Sequence, residues 1–60
     1  MTIQEVQGLE AGDRIFWTDP NEDRESRYVR VSTVRVFGQV AVIKDDEGTV
    51  QRFRVGDLSW

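Results

Sequence analysis

A one-residue shift in the apolar alternation of residues 27–37 constrains this fold more than any other feature of the chain. Val29 and Val31 alternate with polar residues, but the next valines, at 34 and 36, are offset from them by one position. Because successive side chains of a strand point to opposite faces, Val31 and Val34 cannot share a face of a regular strand. A β-bulge or a sharp bend near Ser32-Thr33 restores the alternation. We therefore predict a long, bent strand within a curved sheet.

Three shorter strands and a helical turn surround the bent strand in the sequence. Runs of β-branched and aromatic residues bounded by polar turns predict strands at 13–18, 27–37, 39–44 and 49–55, then a helical turn at 55–58. Residues 1–12 contain two glycines, Gly8 and Gly12, which break helices, so this segment is predicted as a lead-in without a helix. We expect its apolar residues to dock on the sheet.

Three short stretches resemble the SH3-like small barrels, the group that includes KOW and Tudor modules. They are the entry Leu9–Ile15, the hairpin turn Asp45–Gly48 and the exit Phe53–Leu58. The resemblance covers residues 9–58. It implies an all-β fold: one domain over residues 1–60, a small SH3-like barrel of four to five antiparallel strands with a short 3-10 turn near the C-terminus. This fold supports many unrelated functions, so function must be argued from a site.

The composition excludes several kinds of chemistry. The 60 residues include no cysteine and no histidine, so the chain has no disulfide, no thiolate metal site and no imidazole base. We therefore expect a protein that is not an enzyme and needs no cofactor or metal. The longest apolar run is Val40–Ile43, too short to span a membrane, and residues 1–10 lack the apolar core of a signal peptide. Together with the absence of cysteine, these features favour a cytoplasmic protein without membrane contact.

The charges are unevenly distributed along the chain. Residues 1–26 hold two cations against seven acids, whereas residues 27–60 hold six cations against four acids. Seven of the eight cations are arginine, which binds phosphate and carboxylate groups through two donors at once. If the bend lies where we place it, one exposed basic stripe forms from Arg30, Arg35, Arg52 and Arg54. Alternatively, these arginines pair with the acidic first half of the chain, or their aliphatic stems cover the core.

Three aromatic residues fall out of phase with neighbouring core positions. They are Phe16, Tyr28 and Phe37, and we predict that they lie beside the arginines, where nucleic-acid bases stack. Tyr28 and Phe37, together with Trp17, also lie near the loops that link the strands. Aromatic residues in such loops form the cage that binds a methylated cation. The alternative is that most of them fill the core, because a small domain needs large buried side chains.

Two acidic clusters have the character of solvated turns. They are Asp19, Glu22, Asp23 and Glu25, and Asp45, Asp46 and Glu47. Neither has the alternating oxygen ligands and closing glutamate of a calcium loop.

A second resemblance concerns an enzyme. Val50-Gln51-Arg52-Phe53, with Val55, Leu58 and the upstream Gly12–Ile15, looks like the type II plasmid-borne dihydrofolate reductase, which builds one active pore at the centre of a tetramer. Val50 and Gln51 match that family's Val-Gln-Ile-Tyr stretch, whereas Arg52 replaces isoleucine and Phe53 replaces tyrosine. The resemblance implies a reductase with an oligomeric pore, but the first change places four arginines in that pore.

The strand at 39–44 is apolar on both faces, which is typical of an interface. We therefore predict self-association or docking on a larger partner through this strand, with Ile43 as a contact residue. The favoured function is a non-enzymatic binding or adaptor module that acts through protein–protein contacts. The acidic balance, with a pI near 4.7, places nucleic-acid binding by the arginine face second and the pore reductase third.

Overall fold

The structure is a computed structural model and describes residues 1–21 and 25–60. Its five antiparallel strands form one sheet in the order β4-β3-β2-β1-β5. The strands are β1 (Arg14–Trp17), β2 (Arg27–Phe37), β3 (Val40–Asp45), β4 (Val50–Arg54) and β5 (Leu58–Ser59). A short helix, α1 (Ile3–Gln7), precedes the sheet, and a 3-10 turn at Val55–Asp57 joins β4 to β5. The predicted all-β class, the number of strands and the 3-10 turn near the C-terminus are confirmed.

The predicted bulge lies in β2 at the expected place. Val31 pairs with Asp45 of β3, and Thr33 pairs with Lys44, so two steps along β2 match one step along β3. Ser32 is the extra residue. The bulge returns Val34 to the face that Val31 occupies, which explains how one strand keeps its apolar residues on one side.

The connection between β4 and β5 requires that the sheet curls. These strands lie at opposite edges of the sheet, and edges of a flat five-stranded sheet are about 19 Å apart. The chain crosses from Arg54 to Leu58 through one 3-10 turn, which advances only about 8 Å. Across the interior, the ring of Trp17 on β1 lies 5.4 Å from that of Phe53 on β4. The two edges are therefore brought close together around a common core.

The concave side of the sheet encloses the core. Its ten buried residues are Val6, Leu9, Ile15, Val29, Val31, Ala41, Ile43, Phe53, Val55 and Leu58. All of them are apolar, and every strand contributes at least one. Burial of these side chains is the main source of stability in a domain with no disulfide.

The prediction that residues 1–12 contain no helix is wrong. Thr2 and Glu5 form a capping box, in which the Thr2 hydroxyl accepts from the Glu5 amide at 3.1 Å and the Glu5 carboxylate accepts from the Thr2 amide at 2.9 Å. This satisfies the first amides of α1, and Gly8 ends the helix after five residues. The Thr-x-x-Glu signal was present in the sequence. As expected, Val6 and Leu9 dock on the sheet and are buried.

Candidate functional site

The convex side of β2, β3 and β4 presents a continuous surface, which we call the outer face. Cross-strand partners share a face, so the pairing defines three rows across this sheet. The rows are Phe37–Val40–Arg54, Arg35–Val42–Arg52 and Thr33–Lys44–Val50. The alternation of strands β3 and β4, together with the bulge in β2, places all nine residues on this side.

The outer face combines apolar side chains with cations: Val40 and Val42 lie on its central strand, between arginines on the flanking strands. Phe37 and Val50 are 63% and 59% exposed, and Val40 and Val42 are half-buried. An open pocket of about 430 Å³ is lined by Phe37, Val40, Val42 and Arg52. Residues that remain exposed and apolar on a folded monomer are typical of a contact surface.

The four cations of the outer face have no anionic partner in the described part of the chain. Arg35, Lys44, Arg52 and Arg54 are exposed, and none forms a hydrogen bond or ion pair in residues 1–21 and 25–60. The alternative prediction, that the arginines pair with the acidic first half of the chain, therefore fails for these positions. Their charge is available to an external group.

Charge is segregated by secondary structure across the described residues. Seven of the eight cations lie on strands, and the eighth, Arg24, falls outside the described residues. Asp45 is the single acid that the described strands contain, and its Oδ1 accepts from the backbone amides of Glu47 and Thr49 at the following turn. The other described acids lie in α1, the loops and the 3-10 turn. The strands are thus basic and the connections acidic, although the chain as a whole is acidic.

A second exposed patch lies on the convex side of β1 and the first half of β2. Phe16 faces Tyr28 with ring centroids 4.9 Å apart in an edge-on arrangement, and the Arg14 guanidinium lies 4.6 Å from the Tyr28 ring centroid. Arg30 pairs with Arg14 across the strands. This patch places two cations beside an exposed aromatic ring, which is an arrangement that binds anions or stacks on planar groups.

Seven of the eight predicted site residues lie on the convex side of the sheet. Four belong to the outer face: Arg35, Phe37, Arg52 and Arg54. The other three, Phe16, Tyr28 and Arg30, lie in the second patch.

Ile43 requires a correction. It is 1% exposed, in the core beside Ala41, and it cannot contact a partner in the folded protein. The strand β3 is apolar on both faces, as predicted, but Val40 and Val42 are the pair on the accessible side. The strand also lies between β2 and β4, so neither of its edges is open to another chain.

Val40, Val42 and Lys44 are the residues of this surface that the sequence analysis missed. The strand reads Val-Ala-Val-Ile-Lys, and its apolar residues give no indication of which phase is buried. The charge of Lys44 was the available signal, because Lys44 shares a phase with Val40 and Val42 and a lysine is rarely buried.

The structure also shows where described residues of the acidic clusters and of the reductase-like stretch lie. Glu22 and Asp23 lie outside the described residues, whereas Asp19 forms a local turn in which its Oδ1 accepts from the Asn21 amide. No group of three metal-binding side chains occurs in the described part of the chain. In the reductase-like stretch, Gln51 accepts a hydrogen bond from Arg27 and Phe53 is buried.

Within residues 1–21 and 25–60, no helix has the length and apolar character needed to cross a membrane. Comparison with protein-family models, curated proteins and solved structures finds no match to this chain. The candidate site therefore rests on its own geometry.

Proposed function

We propose that this chain is a non-enzymatic binding module, built as an SH3-like barrel, that contacts a protein partner through the outer face. The observation that carries the proposal is an apolar group on the accessible side of the sheet, the exposed Phe37 and the half-buried Val40 and Val42, beside cations that have no partner among the described residues. A protein interface of this kind has an apolar centre and a polar rim. Such a partner would offer apolar side chains opposite Val42 and carboxylates opposite the arginines.

A second candidate function is nucleic-acid binding, which the segregation of cations onto the strands favours. Arginine beside exposed aromatic rings, as in Arg14 and Tyr28, is suited to phosphates and stacked bases. A pore reductase has less support, because Phe53 of the matching stretch is buried and Gln51 is held by Arg27.

The first experiment is an NMR titration of the labelled protein with mixed-sequence single- and double-stranded oligonucleotides at two salt concentrations. We expect no specific shifts if the partner is a protein. Salt-sensitive shifts along the arginine strands would instead support nucleic-acid binding. In that case, Arg52→Ala and Arg54→Ala should each reduce the salt slope of binding by about one unit.

The second experiment compares two variants that add the same charge, one on the outer face and one away from it. Val42→Asp disrupts the centre of the outer face, whereas Gln7→Asp alters the exposed end of α1. We expect wild type and Gln7→Asp to retain the same proteins from an extract at about 0.3 M salt, and Val42→Asp to lose them. The proposal fails if all three proteins retain the same set.

A further inference from the structure

The free edge of β4 has a defined set of outward-facing backbone groups. The Asp45 amide donates to the Thr49 carbonyl, and the Val55 amide donates to the Gln39 carbonyl, each at 2.9 Å. These bonds close the two ends of the β3–β4 ladder. Hydrogen-bonded pairs alternate with non-bonded pairs in an antiparallel ladder. Gln51 therefore directs its backbone N–H and C=O groups toward β3, and so does the residue two positions later in β4.

The intervening residues of β4 therefore direct their backbone groups away from the sheet. They are Val50, Arg52 and Arg54, and no strand in the described part of the chain pairs with this side of β4. Their side chains are exposed on the outer face. The same three residues thus supply both the free backbone groups and the exposed side chains of this edge.

An added strand would place its own side chains in register with these residues. In a hydrogen-bonded antiparallel pair, the opposing Cα atoms are about 5.5 Å apart and the side chains share a face. Acidic residues at alternate positions of the added strand would therefore lie directly across from Arg52 and Arg54. Neither arginine forms an ion pair or a hydrogen bond with a described residue.

A second copy of this chain does not meet that requirement. Antiparallel pairing of two β4 strands about their centres would set Arg52 against the Arg52 of the other copy and Arg54 against Val50. Like charges directly opposite each other destabilise a strand pair. The edge therefore disfavours its own copy and favours an acidic segment.

Resting on the proposed protein-binding function, we propose that β4 accepts an extended acidic segment of a partner as a sixth, antiparallel strand. Backbone hydrogen bonds to Val50, Arg52 and Arg54 supply affinity, and carboxylates opposite the two arginines select the sequence. Exposed cations also protect strand edges from unwanted pairing, so the experiment must separate recognition from simple protection.

The test uses three synthetic peptides of about nine residues in which glutamate alternates with threonine. One is unmodified, one carries N-methyl groups on the glutamate amides, and one carries the same number on the threonine amides. Glutamates opposite the arginines direct their amides toward β4, whereas the threonine amides point away. We expect NMR titration to show binding by the unmodified and threonine-methylated peptides, and at least about tenfold weaker binding by the glutamate-methylated peptide.

Charge reversal on the protein provides the second arm. Arg52→Glu with Arg54→Glu should weaken binding of the glutamate peptide by at least about tenfold and favour a lysine–threonine peptide. The control, Arg14→Glu with Arg30→Glu, makes the same change in charge on β1 and β2. It should reduce binding by no more than about threefold.

The inference is overturned if no peptide binds at millimolar concentration, or if both methylated peptides bind equally well. If retention of extract proteins depends on Val42 but no peptide binds, the proposed function stands and only the strand addition is refuted. If peptide binding depends on which amides are methylated, but Val42→Asp does not change the retention of extract proteins, the β4 edge is supported. The outer face is then refuted as the contact surface.

Discussion

Two neighbouring residues of β3 should differ sharply in their contribution to stability. Ile43 is 1% exposed in the core, whereas Val42 is half-buried on the outer face between Arg35 and Arg52. Truncating a fully buried isoleucine to alanine removes favourable burial and leaves a cavity, at a cost of about 2–5 kcal/mol. Val42→Ala loses only part of that burial and some strand propensity, at about 1 kcal/mol or less.

These magnitudes are large relative to the stability of such a domain. At about 0.05–0.15 kcal/mol per residue, a chain of this length has a free energy of unfolding of about 3–9 kcal/mol. Ile43→Ala should therefore lower the melting temperature by at least about 8 °C, since each kcal/mol corresponds to about 4–8 °C in a domain of this size.

Urea unfolding followed by far-UV circular dichroism measures both variants under the same conditions. We expect Ile43→Ala to shift the midpoint strongly with little change in slope, and Val42→Ala to shift it slightly. Equal shifts, or a larger shift for Val42→Ala, would refute the assignment of β3 faces and with it the outer face as a surface.

Three further predictions concern other parts of the domain. Hydrogen bonds lower the pKa of the Glu5 carboxyl below its ordinary value, first from the Thr2 amide and second from the Trp60 indole. The ionised carboxylate therefore stabilises the fold at pH values above that ordinary pKa, and this stabilisation is lost as the pH falls through the folded-state pKa. Glu5→Gln should accordingly lower the urea midpoint at neutral pH, and its difference from wild type should shrink as the pH falls through the folded-state pKa of Glu5; a difference that does not shrink on acidification would contradict this assignment. Gly48 has a φ of 88° in the β3–β4 turn, and an added Cβ there meets no atom within 4 Å, so Gly48→Ala should cost about 1–2 kcal/mol from backbone strain alone in thermal unfolding. Gly56→Ala, in equally open space without a positive φ, is the control and should be neutral to within about 1 kcal/mol; equal costs would contradict the strain explanation. Deleting Ser32 removes the bulge and turns the following β2 side chains to the opposite face, so the variant should lose cooperative unfolding by circular dichroism, and a cooperative transition would show that the bulge is dispensable.

Sequence patterning predicted most of the fold because its signals are local. The bounds of β2 and the place of its bulge follow from the spacing of valines, since the two faces of a strand alternate strictly. The helix α1 was missed because two glycines were given more weight than the Thr2–Glu5 capping box.

The candidate site was predicted in part, and for a physical reason. Charged residues are costly to bury, so Arg30, Arg35, Arg52 and Arg54 could be assigned to the exposed side before any strand pairing was known. Apolar residues have no such constraint. In β3 they occupy both phases, and the predicted contact residue was therefore Ile43, whereas the structure places Val42 on the accessible side.

Local sequence determined the strands, the bend and the exposure of the cations, because alternation, turn residues and the cost of burying charge act within a few residues. Tertiary structure decided which face of β3 is buried, which cations become neighbours and which strand is left with a free edge. These properties depend on pairing between segments distant in sequence. The curling of the sheet around one core selects a single register among those that the local pattern allows.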